Sequence, residues 1–142
     1  MMKRVIDSSV AFKWVVPETH SDKALLLRDD FRNGLIELLA PDFFPLEVGH
    51  ALTRAERQGR IPIGSAIPLL RDILNTLPRM HPSLPRLLRA VEISSQLRVG
   101  VYDCLYVALA ESEQCELVTA DDKLVNNLQP WFPFIISLGS IP

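Results

Sequence analysis

Short apolar runs alternate with helix-like stretches along this chain, and acidic residues mark the joints between them. Residues 3–6, 36–40, 116–119 and 134–137 are brief, rich in branched aliphatic side chains and bounded by turn-forming residues, which is how buried strands read. The stretches between them carry apolar residues three and four apart. Parallel strands need long crossovers, usually helices, so this alternation predicts a parallel sheet covered on both faces. The expected fold is α/β: a three-layer α/β/α sandwich around a mostly parallel sheet of four to five strands, with residues 1–142 as one domain.

Local punctuation places the helices. Ser8 or Ser9 is expected to cap a first helix through Ala11, Phe12 and Trp14, which Pro17 closes. Ser21 opens a second that stops at Gly34, and Pro41-Asp42 starts a third through Glu47 and Leu52 to Gly59. A fourth covers residues 64–77, delayed or kinked by Pro68, and Met80-His81 follows as a short edge strand. Residues 84–97 form a helix stopped by Gly100, 102–114 another with Asp103 in its first turn, and 121–128 a last short one.

With 48% hydrophobic residues over 142 positions, the chain has material for a substantial core and lacks the composition of a disordered one. A net charge of −2 excludes nucleic-acid binding through bulk positive charge, so any such contact has to come from local cations or bound metal. Cys104 and Cys115 form neither a CxxC pair nor a metal-spaced set, which suits a reduced chain. Asp7 and Lys13 interrupt the N-terminal apolar stretch; Pro130, Pro133, Gly139 and Pro142 break up the C-terminal one. Neither reads as a signal peptide or a membrane span. The expectation is a cytoplasmic protein with no membrane contact.

Asp7 ends the first apolar run, Glu47 lies in the third helix, Asp103 opens the helix at 102–114, and Asp121 follows the run at 116–119. In an open α/β sheet the C-terminal strand ends converge on one crevice. Four carboxylates gathered there repel one another unless a cation neutralises them. Hard oxygen donors suit Mg²⁺ or Mn²⁺, and such ions activate water and stabilise the leaving oxygen in phosphodiester hydrolysis. Each acid alone reads as a helix cap or surface charge; the set points to a metal site. Glu47-x-x-His50 is half of a di-iron carboxylate signature, but the chain has no second Glu-x-x-His. His50 is therefore expected to be a helix residue satisfied by local hydrogen bonds, and His20 and His81 to be ordinary surface or loop residues.

The blocks around the acids are VIDSSVAFKWV, APDFFPLEVGHAL, VYDCLYVALAE and LVTADDKLV. In this order they resemble the PIN-domain nucleases, and in particular the VapC-type toxins of prokaryotic toxin–antitoxin pairs, over residues 3–138. The resemblance implies that Asp7, Glu47, Asp103 and Asp121 are catalytic acids that hold Mg²⁺ or Mn²⁺ for endoribonucleolytic cleavage of RNA. It matches Ser9 to a small hydroxyl position beside the first acid and Thr119 to the hydroxyl of the T-x-D motif. It also implies a homodimer, and a small cognate antitoxin with a segment that enters the groove near the acids. Cys104, where the family often has alanine, and Asp122, a fifth carboxylate, depart from the pattern. Asp122 reads first as an exposed first-turn acid and second as a supporting neighbour of the metal.

Arg54 stands two turns after Glu47 and shares its face, where it either positions phosphate or faces solvent; Arg57 and Arg60 read as solvated. Lys13 and Lys123, close in sequence to Asp7 and Asp121, can likewise meet phosphates. Tyr102, Tyr106, Phe12 and Trp14 read as core or interface residues ahead of base-stacking platforms. Leu25, Leu26 and Leu27, with the stripe Leu69, Leu70, Ile73 and Leu74, exceed a small core's need and suit a partner helix or dimer seam. The rival functions are a PIN-fold nuclease outside a toxin–antitoxin system, a phosphotransfer or phosphatase domain on a similar sheet, and a silent binding module. Aspartate phosphatases want a second acid two residues after the first, where this chain has Ser9, and a receiver domain wants an acid pair that Asp7-Ser8 does not supply.

Overall fold

The computed structural model describes residues 1–142. Five strands, β1 (Met2–Ile6), β2 (Ile36–Pro41), β3 (Arg79–His81), β4 (Glu116–Thr119) and β5 (Ile135–Ser137), form one sheet in the order β3-β2-β1-β4-β5. Every pairing is parallel, so the sheet is fully rather than mostly so. Seven helices flank it: α1 (Ser8–Val15), α2 (Ser21–Arg32), α3 (Phe44–Arg57), α4 (Ala66–Leu74), α5 (Leu87–Leu97), α6 (Val101–Glu113) and α7 (Asp122–Leu128). The expected α/β sandwich is what the chain builds. Strand order reverses at β1, with β2 and β3 on one side and β4 and β5 on the other. Ligand crevices open beyond the C-terminal strand ends at such a switch point.

Burial follows this order. Val5, Ile6, Leu117 and Val118 in the central strands are fully buried, whereas Met80 on the edge strand is exposed. Helix α6 buries seven consecutive residues from Cys104 to Ala110, as a helix apolar on every side must. Buried Arg28 ties α2 to α4: its Nη2 donates to the Asp72 carbonyl at 2.8 Å and to Asp72 Oδ1 at 2.6 Å, and the guanidinium lies 5.1 Å from the Trp14 ring centroid. Of the two leucine-rich stripes, Leu27 and Ile73 enter the core while Leu25, Leu26 and Leu74 stay exposed. Both cysteines are free, and no helix is long and apolar enough to cross a membrane.

Element ends depart from the sequence reading where pairing or cap chemistry overrides turn residues. Pro41 ends β2 opposite His81, and α3 begins three residues later with Pro45 in its first turn. Asp7, not Ser8 or Ser9, caps α1, accepting from the Ser9 N–H. Residues 84–86 form a 3₁₀ turn ahead of α5, which ends on Arg98 in the left-handed region (φ 59°); Gly100 caps α6 instead. His81 lies in the expected edge strand but is half-buried rather than a surface residue, its Nδ1 3.5 Å from Glu113.

Candidate active site at the switch point

Strand β1 delivers Asp7 directly to the cap of α1, and β4 delivers Thr119 and then Asp121, the cap of α7. The two strands are neighbours, with Ile6 opposite Val118, so these turns lie side by side. Thr119 Oγ1 donates to Asp7 Oδ2 and Ser9 Oγ donates to Asp7 Oδ1, each at 2.5 Å. The Ala120 N–H in turn donates to Ser9 Oγ at 2.9 Å, and the Asp121 N–H to Thr119 Oγ1 at 3.0 Å. Each hydroxyl therefore accepts from backbone and turns its own proton onto Asp7. Two side chains grip both carboxylate oxygens.

Asp7 is only 6% exposed. Burial pushes its carboxyl up from the ordinary value to about 6, the two hydroxyl donors pull it partly back, and the charges of Asp103 and Asp121 push it further up. Asp103, in the first turn of α6, is raised by burial and then by Asp121. Glu47, in the first turn of α3, is raised by burial, lowered by a 2.7 Å hydrogen bond from the Tyr106 hydroxyl, and raised by Asp103. These mutual couplings draw Asp7, Glu47, Asp103 and Asp121 into one electrostatic neighbourhood. Asp122 stands beside it, exposed at the first position of α7, where Asp121 rather than Asp122 caps the helix.

Sequence reasoning puts Tyr106 in the core and misses its hydroxyl. The ring is buried edge-on to Phe43 at 5.4 Å, while its hydroxyl holds Glu47. The available signal was its position one turn after Asp103 on the same helix face. A groove of about 670 Å³ opens beside Glu47, lined by Ser8, Phe43, Leu46, His50, Ala51, Arg54, Arg60 and Tyr102. Arg54 lines it, as its spacing from Glu47 implies. Arg60 also lines it while staying exposed, as the solvated reading has it. The His50 imidazole is exposed on this groove; the local bond at that position is made by its carbonyl, which accepts from Thr53 Oγ1. Tyr102 is 62% exposed and held edge-on by Phe43, whereas Phe12 and Trp14 are buried.

No three carboxylate, imidazole or thiol groups converge closely enough to enclose one ion. Asp7 already receives a hydroxyl proton on each oxygen. The all-oxygen donor set still suits a hard cation that keeps most of its waters and takes one or two carboxylates directly. It does not suit a soft ion that needs a closed protein cage.

A family model described as the PIN domain matches residues 4–127. Ribonuclease VapC1 of Mycobacterium tuberculosis is 39% identical over 103 residues, which covers 71% of this chain and 74% of the relative. Ribonuclease VapC3 of Pyrobaculum aerophilum is 28% identical over 138 residues, covering 96% of this chain and 99% of that one. Among solved structures, PAE2754 from Pyrobaculum aerophilum matches with a TM-score of 0.69 at 22% identity, covering 98% of this chain and 92% of that one. VapBC2 from Rickettsia felis, bound to a DNA fragment from their promoter, matches with a TM-score of 0.63 at 14% identity, covering 96% and 97%. At these identities the two structures share the fold. The matched family model and the aligned relatives agree: the chain belongs to the PIN-domain family, in its VapC branch.

Proposed function

We propose that this chain is a Mg²⁺- or Mn²⁺-dependent endoribonuclease, the toxin of a toxin–antitoxin pair, working as one domain in the cytoplasm. The observation that carries the reading is Asp7: a carboxylate at the switch point, gripped by two hydroxyls and raised by burial first and by neighbouring acids after it. Perturbed acids in a crevice are functional-site candidates, and the relatives are ribonucleases by name. Asp7, Glu47, Asp103 and Asp121 are the catalytic, metal-holding acids. Ser9 and Thr119 support them by fixing the Asp7 carboxylate, and Asp122 adds negative charge at the rim. A cation held by these acids would supply an acidified water and neutralise the scissile phosphate.

The chain's own groups do the remaining work. Tyr106 holds one oxygen of Glu47 and leaves the other free to take a proton from water. A small antitoxin and a second copy of the chain are the proposed protein partners. Exposed Leu25 and Leu26 on α2 and Ile67 and Leu74 on α4 offer apolar ground for them. Against the phosphatase alternative, Ser9 spends its proton on Asp7 and supplies no second acid.

The purified protein is expected to cleave single-stranded RNA with Mg²⁺ or Mn²⁺, to stop in excess chelator, and to resume when metal is restored. Cleavage that persists in chelator overturns the metal mechanism. Asp103→Asn is expected to lose cleavage with its melting temperature intact; full activity in that variant removes Asp103 from the mechanism. The toxin role predicts growth arrest on expression, relieved by the neighbouring small gene, and is refuted if neither effect occurs.

A further inference from the structure

The groove beside Glu47 adjoins another cavity. A second cavity of about 260 Å³, lined by Ser9, Phe12, Lys13 and Glu18, shares Ser8, Ala51 and Arg60 with the first. Together they form one trough running along the Ser8-Ser9 flank of Asp7.

Two of its cations are held in place. The Arg60 guanidinium lies 5.4 Å from the Phe12 ring centroid, its Nη1 3.7 Å from Glu18 Oε2, and its Nε donates to Gln58 Oε1 at 3.0 Å. Lys13 Nζ lies 3.3 Å from Glu18 Oε1, and its side chain is only 14% exposed. Glu18 thus draws two cations together with a single negative charge. The cluster keeps a net charge of +1, and Arg60 Nη2 and two ammonium protons of Lys13 have no acceptor among these partners. The Arg60 side chain is 47% exposed, so the excess charge is reachable from solvent. A polyanion lying in the trough gains from it, because the acids ahead of it repel phosphate.

We propose that Lys13 and Arg60, tethered by Glu18, form a phosphate subsite that binds the RNA backbone one step from the cleaved bond. This rests on the ribonuclease reading of the adjoining acids. The pair supplies position and affinity, while the acids supply chemistry.

The test is binding of a fluorescein-labelled single-stranded RNA to the Asp103→Asn protein across a salt series, with Lys13→Ala or Arg60→Ala added. Each added substitution is expected to lower the slope of log affinity against log salt by about 0.7, and to weaken binding about fivefold at ~0.1 M salt. In the active protein the same substitutions raise KM and leave kcat nearly unchanged, and Lys13→Arg restores binding. If Lys13→Ala fails to fold, Lys13→Gln keeps the packed stem and removes the charge. An unchanged slope and affinity, with or without a lower melting temperature, makes the network structural and overturns the subsite. If the parent protein cleaves no RNA while the slopes still fall, the ribonuclease reading fails and the subsite stands.

Discussion

Replacing Asp7 with Asn probes the electrostatics of the site without changing its shape, because the two side chains are isosteric and cap a helix about equally well. In the folded protein the Asp7 carboxyl is pushed from 3.8 to about 6, with burial the largest cause. A carboxyl raised by folding binds its proton more tightly in the native state than in the unfolded one. Below pH 3.8 both states hold that proton and no penalty exists. Between 3.8 and about 6 the unfolded chain ionises first and native stability falls; above that range the penalty is constant. At ~1.4 kcal/mol per pKa unit, the full penalty is about 3 kcal/mol. The side chain is nearly inaccessible, so water screens little of it. Asn removes the penalty, yet its amide N–H₂ faces a hydroxyl that now donates, and losing one hydrogen bond costs about 1 kcal/mol. The net expectation is a variant more stable by about 2 kcal/mol above pH 7 and no more stable than its parent in acid. Urea unfolding in excess chelator across the pH range measures this directly. Adding Mg²⁺ or Mn²⁺ should then raise the melting temperature of the parent more than that of the variant. An Asn variant no more stable than the parent at neutral pH refutes the burial argument.

Two further substitutions test the groups around the acids. Tyr106→Phe removes the donor that pulls Glu47 down, so the Glu47 carboxyl rises further; the acid limb of the pH–rate profile is expected to move to higher pH, with about 1 kcal/mol of stability lost. A limb that stays in place assigns it to another group. Thr119→Val takes a donor from Asp7 and an acceptor from the Asp121 N–H at a fully buried position. It is expected to cost about 2 kcal/mol at neutral pH, where Asp7 is ionised, and less in acid; equal losses at both pH values, read by urea unfolding, separate Thr119 from the charge on Asp7.

The strands were legible because branched aliphatic runs bounded by turn residues have few other ways to bury themselves, and Asp7 and Asp121 stood out because each falls at a strand-to-helix joint. What escaped depends on contacts distant in sequence or on chain reversal. Tyr106 meets Glu47 across 59 residues, and only its place one turn after Asp103 hints at it. The partners of Arg60 escaped for a more specific reason. Spacing from Arg54 and Arg57 extrapolates it along the outer face of α3, but the helix ends first. Gly59, at φ 72°, reverses the chain, so the Gly59 N–H bonds the Glu56 carbonyl and the Arg60 N–H bonds the Ala55 carbonyl. That is a Schellman closure, and it turns Arg60 back toward Phe12 and Glu18. Gly59 was readable as a stop; where the next side chain would land was not.

Reading these acids as helix caps and reading them as a site turn out to be compatible. Asp7 and Asp121 each close a strand-to-helix turn, and the carboxylate that accepts the helix N–H groups is the one brought to the switch point. Cap chemistry places both, and the pairing of β1 with β4 sets them side by side. Burial then separates them: Asp121 is exposed and Asp7 is not. A buried carboxylate ionises only at a cost, and a neutral amide would close the same turn with the same geometry and a more stable fold. Asp7 is thus the position where this chain carries a residue that weakens its own folded state, and the proposed cation, bound to that carboxylate, would offset the loss.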